Sequence, residues 1–317
     1  MNKPLKINVI PNTMYDINNF EDLSKPLSDH SLIRVEFKKF IIYSYNILNG
    51  SDIGATSKTI KHFIKENLDN KKRLTRKYKA ALLDYNIERT GQICDKLLKL
   101  SHIEKKPCIF FLQEVSSEME LKVRSKFSGN YEIYTTDNDF VSTNSNVLFK
   151  DEKRLTIIPK SIFVEKVIKI DVYNIGQAYK TQLLTQVLID GTQYNICNVH
   201  IHFKTLFSQL IDFLNELMPY PNLIVIGDFN TDLSCDELNN FFKNESNLKI
   251  LQPDEPTFVD KMGFENSEKS YIIDQVIYNS NHEHPYNELQ ELTINSTSTP
   301  TPLQLGGKLK YNIKYSM

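Results

Sequence analysis

Asn222-Leu223-Ile224-Val225-Ile226-Gly227-Asp228-Phe229-Asn230 is an apolar run that stops abruptly in a glycine and polar residues. Its aliphatic residues predict a strand buried on both faces, and Gly227 permits the sharp turn where that strand stops. An acid and an amide are thus presented at a strand end, where α/β proteins tend to place their chemistry because the sheet is rigid and its end open. The plain alternative is a strand followed by a polar turn built on Asn230 and Asp232. Partners elsewhere in the chain decide between the two.

Other apolar runs end in the same way. SLIRVEF at 31–37 and FIIYSY at 40–45 read as two strands joined by a Lys38-Lys39 turn, and the second delivers Asn46. A helix predicted over 87–100 feeds CIFFL at 108–112, a buried strand ending in Gln113-Glu114-Val115. After a helix at 118–127 and a strand at 131–135, the segments 146–150, 155–158, 163–173 and 181–189 alternate as antiparallel strands do. YNICNV at 194–199 delivers His200-Ile201-His202. A strongly apolar helix at 205–218, stopped by Pro219, covers the sheet, and a short helix follows at 236–242. A strand is expected at 271–278, containing Asp274, and a last one at 309–315. With no internal repeat or long linker, one domain over 1–317 is the economical reading.

Composition narrows the class. Lys and Arg number 38 against 39 Asp and Glu, so no global field selects a polyanion or a membrane, and any such preference is local. The local candidate is the stretch 58–79, in which nine basic residues face only Glu66 and Asp69. It is either a solvated helix face or a phosphate-backbone contact surface. Cys94, Cys108, Cys197 and Cys235 have no metal-binding spacing and read as buried or half-buried thiols of a reducing compartment. The N-terminus lacks a long apolar core and no window reaches a membrane span, so the expected location is cytoplasmic, or outside by a route other than an ordinary signal peptide.

Collected, the strand ends carry Asn46, Glu114, His200, Asp228, Asn230 and Asp274, a set suited to phosphoryl chemistry. A carboxylate with an amide oxygen nearby supplies the hard ligands that Mg²⁺ prefers, and a histidine and an asparagine can donate to a charged transition state. Asp228 could orient or deprotonate an attacking water. What the set lacks is a second histidine to pair with Asp274.

In that order, the strand ending in Asn46, LQEV, N-x-H, GDFN and I-D-x-V-I resemble the endonuclease/exonuclease/phosphatase superfamily of metal-dependent phosphoesterases. The match runs from about residue 40 to 278, and NVLFKDEKRL resembles the family's mid-chain strand. The resemblance implies an α/β fold of four layers, α/β/β/α, with two mostly antiparallel sheets face to face and helices outside. The family closes with Ser-Asp-His and a final strand, which nothing after Asp274 supplies. Ser28-Asp29-His30, followed by SLIRVEF, stands instead near the N-terminus, so the order implies a circular permutation in which 1–37 is the displaced closing segment and 51–82 a basic insertion.

Carried over, the resemblance makes Glu114 a direct ligand of Mg²⁺, with Mn²⁺ as an alternative, and Asn46 a ligand directly or through water. Asp29 is a second-metal ligand or stands behind the first. Asp228 and Asn230 position the nucleophilic water and the phosphoryl oxygens, and His200 contacts the phosphate. His30 is general base or phosphate stabiliser, with Asp274 holding its tautomer. His202 either reaches the site or is a core histidine, the latter preferred. The superfamily spans many phosphoesters. Lys71, Lys72, Arg73, Arg76 and Lys77 favour a phosphodiester in nucleic acid, with an anionic phospholipid or phosphoinositide head group second and a non-catalytic binding module of the same fold third. Oligomeric state is not encoded in any of these features.

Overall fold

The computed structural model describes residues 4, 6–10, 28, 30–47, 76–137, 139–140, 151–174, 177–203, 205–245, 247–259 and 270–279. Two sheets form its centre. The first contains β1 (Lys6–Ile10), β2 (Leu32–Glu36), β3 (Ile41–Asn46), β4 (Cys108–Val115), β7 (Asp151–Pro159) and β5 (Tyr131–Thr135) in that spatial order, with β6 (Asp139–Phe140) also on β7. The second runs β12 (Leu248–Leu251), β15 (Asp274–Asn279), β11 (Leu223–Asp228), β10 (Thr192–His200), β9 (Gln177–Ile189) and β8 (Phe163–Asn174). Only β3 with β4 and β10 with β11 pair in parallel among these neighbours.

Strict alternation along each central strand builds the layers. In β4, Ile109 and Phe111 join Ile33, Val35 and Ile42 in the inter-sheet core, where they meet Ile196, Ile224, Ile226 and Val276 of the second sheet. Cys108, Phe110 and Leu112 point the other way, onto Ile93, Cys94, Leu97 and Leu100 of α1 (Arg76–Ile103) and Met119, Val123 and Phe127 of α2 (Ser117–Phe127). On the far side of the second sheet, Leu223 and Val225 meet Leu210, Phe213, Leu214 and Leu217 of α3 (Phe207–Leu217) and Leu238 of α4 (Asp236–Asn240). This is the four-layer α/β/β/α arrangement, and β11 is buried on both faces as its apolar run predicts.

Three expectations need correction. The strand expected at 271–278 is broken: Tyr271 belongs to a two-stranded hairpin of β13 (Phe258–Val259) and β14 (Ser270–Tyr271). Thr257 sits at the break: its buried Oγ1 accepts from both Ile273 N (3.1 Å) and Asp274 N (3.0 Å), where the ladder with β11 begins. The helix expected to reach 242 passes after Asn240 into a single π-helical turn, Phe241–Glu245, that packs Phe241 and Phe242 into the core. The helix expected from 87 starts at Arg76, so the end of the basic segment is helical; Lys71, Lys72 and Arg73 lie outside the described residues, as do the side chains of Arg76 and Lys77. The segments 146–150 and 309–315, expected as strands, also lie outside them. No helix among the described residues is long and apolar enough to cross a membrane.

The edge of the first sheet is fastened by charge. Arg34 on β2 grips Glu104 with two bonds, Nε to Oε1 at 2.7 Å and Nη2 to Oε2 at 3.0 Å, while Tyr43 OH donates to the same Oε1 at 2.7 Å. Burial pushes the Glu104 carboxyl up, but the bonds from Arg34 and Tyr43 outweigh it and hold it below its ordinary value of 4.5. A folded-state value below the unfolded one means stability that is present above about pH 4.5 and is lost as pH falls through the depressed folded value. Glu104→Gln is therefore expected to cost about 1–3 kcal/mol at neutral pH. Urea titrations should show the difference between the two proteins shrinking as pH falls below about 4.5.

Candidate active site

The parallel strand pairs place four C-terminal ends at one edge of the sandwich: Asn46 lies level with Gln113 in the first sheet, and His200 with Asp228 in the second. Asp274 opens β15 directly opposite Asp228. Beneath them, buried Gln113 donates to Asn198 Oδ1 (2.7 Å), and Asn198 donates to Leu155 O (2.9 Å), so an amide clasp locks the two sheets in register under the site.

Local backbone then aims each side chain. β4 carries a bulge, with Leu112 opposite Leu155 but Val115 opposite Lys153, and Glu114 within it adopts φ 55°. The extra residue turns the Glu114 carboxylate out of the ladder towards the second sheet. The bulge is held from behind by α2, whose N-cap Ser116 accepts from Met119 N (3.3 Å) and whose Ser117 N donates to Asp151 Oδ2 (3.0 Å). Asn230 has φ 50°, a left-handed conformation that asparagine tolerates, and its N–H donates to Asp228 Oδ1 at 2.8 Å.

Asp228 is the hub. Its Oδ2 accepts from Asn46 Nδ2 (3.0 Å) across the sheets and from Asn230 Nδ2 (3.1 Å). Asn46 Nδ2 also reaches Glu114 Oε1 at 2.9 Å. Two imidazoles flank the same oxygen, His200 Nε2 at 3.5 Å and His30 Nε2 at 3.7 Å. Each is oriented through its other nitrogen: His30 Nδ1 lies 2.8 Å from Asp274 Oδ2, and His200 Nδ1 lies 2.6 Å from Glu152 Oε1. Both Nδ1 atoms therefore carry protons donated to carboxylates, leaving both Nε2 atoms facing Asp228. His30 and Asp274 are 244 residues apart in sequence, and Ser28 Oγ, donating to Asn46 O at 2.6 Å, ties the His30 segment to β3.

The structure thus brings together Asn46, Glu114, His200, Asp228, Asn230, Asp274 and His30. Asp29 lies outside the described residues. His202 is not a core histidine: it is half-buried and stacks on exposed Phe203, because the chain leaves β10 at His200 and turns to the surface. Two residues outside the sequence-derived set join the site. Lys180 Nζ lies 3.1 Å from Glu152 Oε1 and 3.2 Å from His200 Nε2. Burial pushes the Glu152 carboxyl up, but Lys180 and His200, with Arg154, outweigh it and hold it well below the usual carboxylate range. The only signal for Glu152 was its place in the NVLFKDEKRL stretch.

Among the described residues, two groups could hold a metal ion, Glu114 with His200 and Asp228, and His30 with Asp228 and Asp274; the ligand atoms of each lie within 4.8 Å of one another. The first offers two carboxylates bridged by one amide, which fits a hard cation that keeps most of its shell for water or substrate.

No protein-family model matches the chain, and no curated protein matches it. Among solved structures it is similar to the endonuclease/exonuclease/phosphatase from Bacteroides vulgatus, at 14% identity and TM-score 0.46 over 60% of this chain and 78% of that one. It is similar also to D. rerio TDP2 complexed with single strand DNA product (14%, TM-score 0.47, 61% and 78%). A third is a mannosyl-6-phosphatase from Bacteroides thetaiotaomicron (14%, TM-score 0.46, 61% and 77%).

Proposed function

We propose that this chain is a Mg²⁺-dependent phosphodiesterase acting on nucleic acid. The observation that carries the reading is the pair of imidazole–carboxylate dyads, His30–Asp274 and His200–Glu152, whose Nε2 atoms converge on Asp228. Such a constellation can hold an anionic phosphoryl group between two imidazoles while a third carboxylate orients water.

Glu114, with Asn46 turned to offer its amide oxygen, would hold the metal. A bound Mg²⁺ supplies charge neutralisation for the phosphoryl oxygens. Asp228, held by three donors on its two oxygens, orients the attacking water and accepts its proton, and Asn230 fixes that carboxylate through both its N–H and its amide. His30, its tautomer set by Asp274, presents the Nε2 lone pair to the incoming water and, once protonated there, donates to a phosphoryl oxygen. His200 and Lys180 bind phosphate from the opposite side, with Glu152 keeping the imidazole upright. The nucleic-acid substrate is read from the basic stretch that follows Asn46.

The same reading includes the circular permutation. It is supported by the His30–Asp274 bond and by β2 lying antiparallel beside β3 across the Lys38-Lys39 turn, as a displaced last strand would.

The test is hydrolysis of single- and double-stranded DNA, RNA, a phosphoinositide and sphingomyelin, with and without Mg²⁺, by wild type and Glu114→Gln. Mg²⁺-dependent cleavage of a nucleic acid, reduced about 10²-fold or more in the variant, is the expected result. Cleavage of lipid alone would replace the substrate, and an absence of Mg²⁺ binding by calorimetry together with no cleavage would leave a binding module.

A further inference from the structure

Beyond His200 the chain leaves β10 and turns to the surface. Ile201 is buried and locked to the site: its N–H donates to Asp228 O (2.8 Å), and its carbonyl accepts from Asn230 Nδ2 (2.9 Å). The next residues form a turn closed by Thr205 N donating to His202 O at 2.8 Å, with Phe203 at its tip. Phe203 is 67% exposed, and the His202 ring stacks on it with centroids 4.5 Å apart and planes 25° from parallel. A large aromatic ring left in solvent sacrifices the burial that usually places phenylalanine inside.

Phe203 lies three positions beyond His200, a span of at most about 10 Å. That separation is comparable with the distance between a phosphate and its own base. The root of the turn, Ile201, is bonded to Asp228 and Asn230, so the turn springs directly from the phosphoryl site. We propose that the His202–Phe203 turn is a stacking subsite for the base of the nucleotide next to the scissile phosphate. The assignment rests on the nucleic-acid reading above and sharpens it: unpaired bases offer the π-face such a platform takes, so single-stranded or end-frayed nucleic acid is the substrate class. A stacked imidazole–phenyl pair suits one planar ring.

The test uses the full-length chain carrying Asp228→Asn, so that strands stay uncut, and single-stranded DNA of about a dozen nucleotides with one baseless residue stepped through its length. Removing the base at one position is expected to weaken binding about 5- to 100-fold. In a chain that also carries Phe203→Ala, removing that base should have no further effect, and Phe203→Tyr should restore the dependence. Equal base dependence with and without Phe203 overturns the platform while leaving the nuclease reading intact. If no nucleic acid is bound by this chain or cut by wild type, the underlying reading fails with it. Binding to anionic phospholipid vesicles that is lost in Phe203→Ala would assign the turn to a membrane instead.

Discussion

Asp228→Asn is expected to lower kcat by about 10³- to 10⁴-fold while shifting the melting temperature by only a few degrees. The carboxylate receives Asn46 Nδ2, Asn230 Nδ2 and Asn230 N, and faces two imidazole nitrogens. An amide of the same shape keeps one acceptor oxygen but sets an NH₂ group against at least one of those donors, so on the proposed mechanism it loses the base and misorients its neighbours. His30→Ala provides the internal comparison. It removes the second imidazole that faces Asp228 and, on the proposed mechanism, should cost about 10²- to 10⁴-fold in the same assay. Steady-state hydrolysis of the cleaved substrate, with circular dichroism melts of each variant, checks both. If Asp228→Asn is inactive while His30→Ala turns over normally, the His30–Asp274 dyad is not part of the machinery, and the permutation loses its functional support.

Much of this geometry was legible in the chain, for a physical reason. A strand buried on both faces must be apolar along its length, so a polar residue at its end stands out; Asn46, Glu114, His200 and Asp228 were visible for that reason. His30 was visible only through the resemblance, since its partner lies 244 residues away and no local pattern joins them.

Glu152 and Lys180 could not be found that way. The run DEKR at 151–154 falls between the two segments read as strands, 146–150 and 155–158, yet Glu152 is 4% exposed and Arg154 fully buried. Their burial is tolerated because Lys180, His200 and Glu152 compensate one another across two sheets, and charge compensation in space leaves no trace in sequence spacing. The break before Asp274 was hidden similarly. Ile272 and Ile273 look like continuous strand, yet the Thr257 hydroxyl, upstream in the sequence, takes the N–H of Ile273, just outside the strand, and that of Asp274, where it begins.

The largest effect on stability is expected at Gly227. Its φ is +148°, a conformation that L-residues rarely adopt, and a Cβ there would overlap Val199 O and stand 3.0 Å from Val199 C. Both atoms are backbone, so no rotamer change relieves the overlap; β10 and β11 would have to separate where Val199 pairs with Gly227. That pair carries His200 and Asp228 one residue further on, so the strands cannot part without spreading the two groups that must converge. Gly227→Ala is therefore expected to destabilise the fold by about 3–5 kcal/mol, the range of overpacking combined with strain at a special φ. The melting temperature should fall by about 6 °C or more, and any folded remainder should lose activity as well. Gly129→Ala is the control, because nothing lies within 4 Å of where its Cβ would stand, and it should stay within about 0.5 kcal/mol of wild type. Urea denaturation of the three proteins decides the matter. A Gly227→Ala chain as stable as the control would mean that β10 and β11 do not approach as closely as the site's convergence requires.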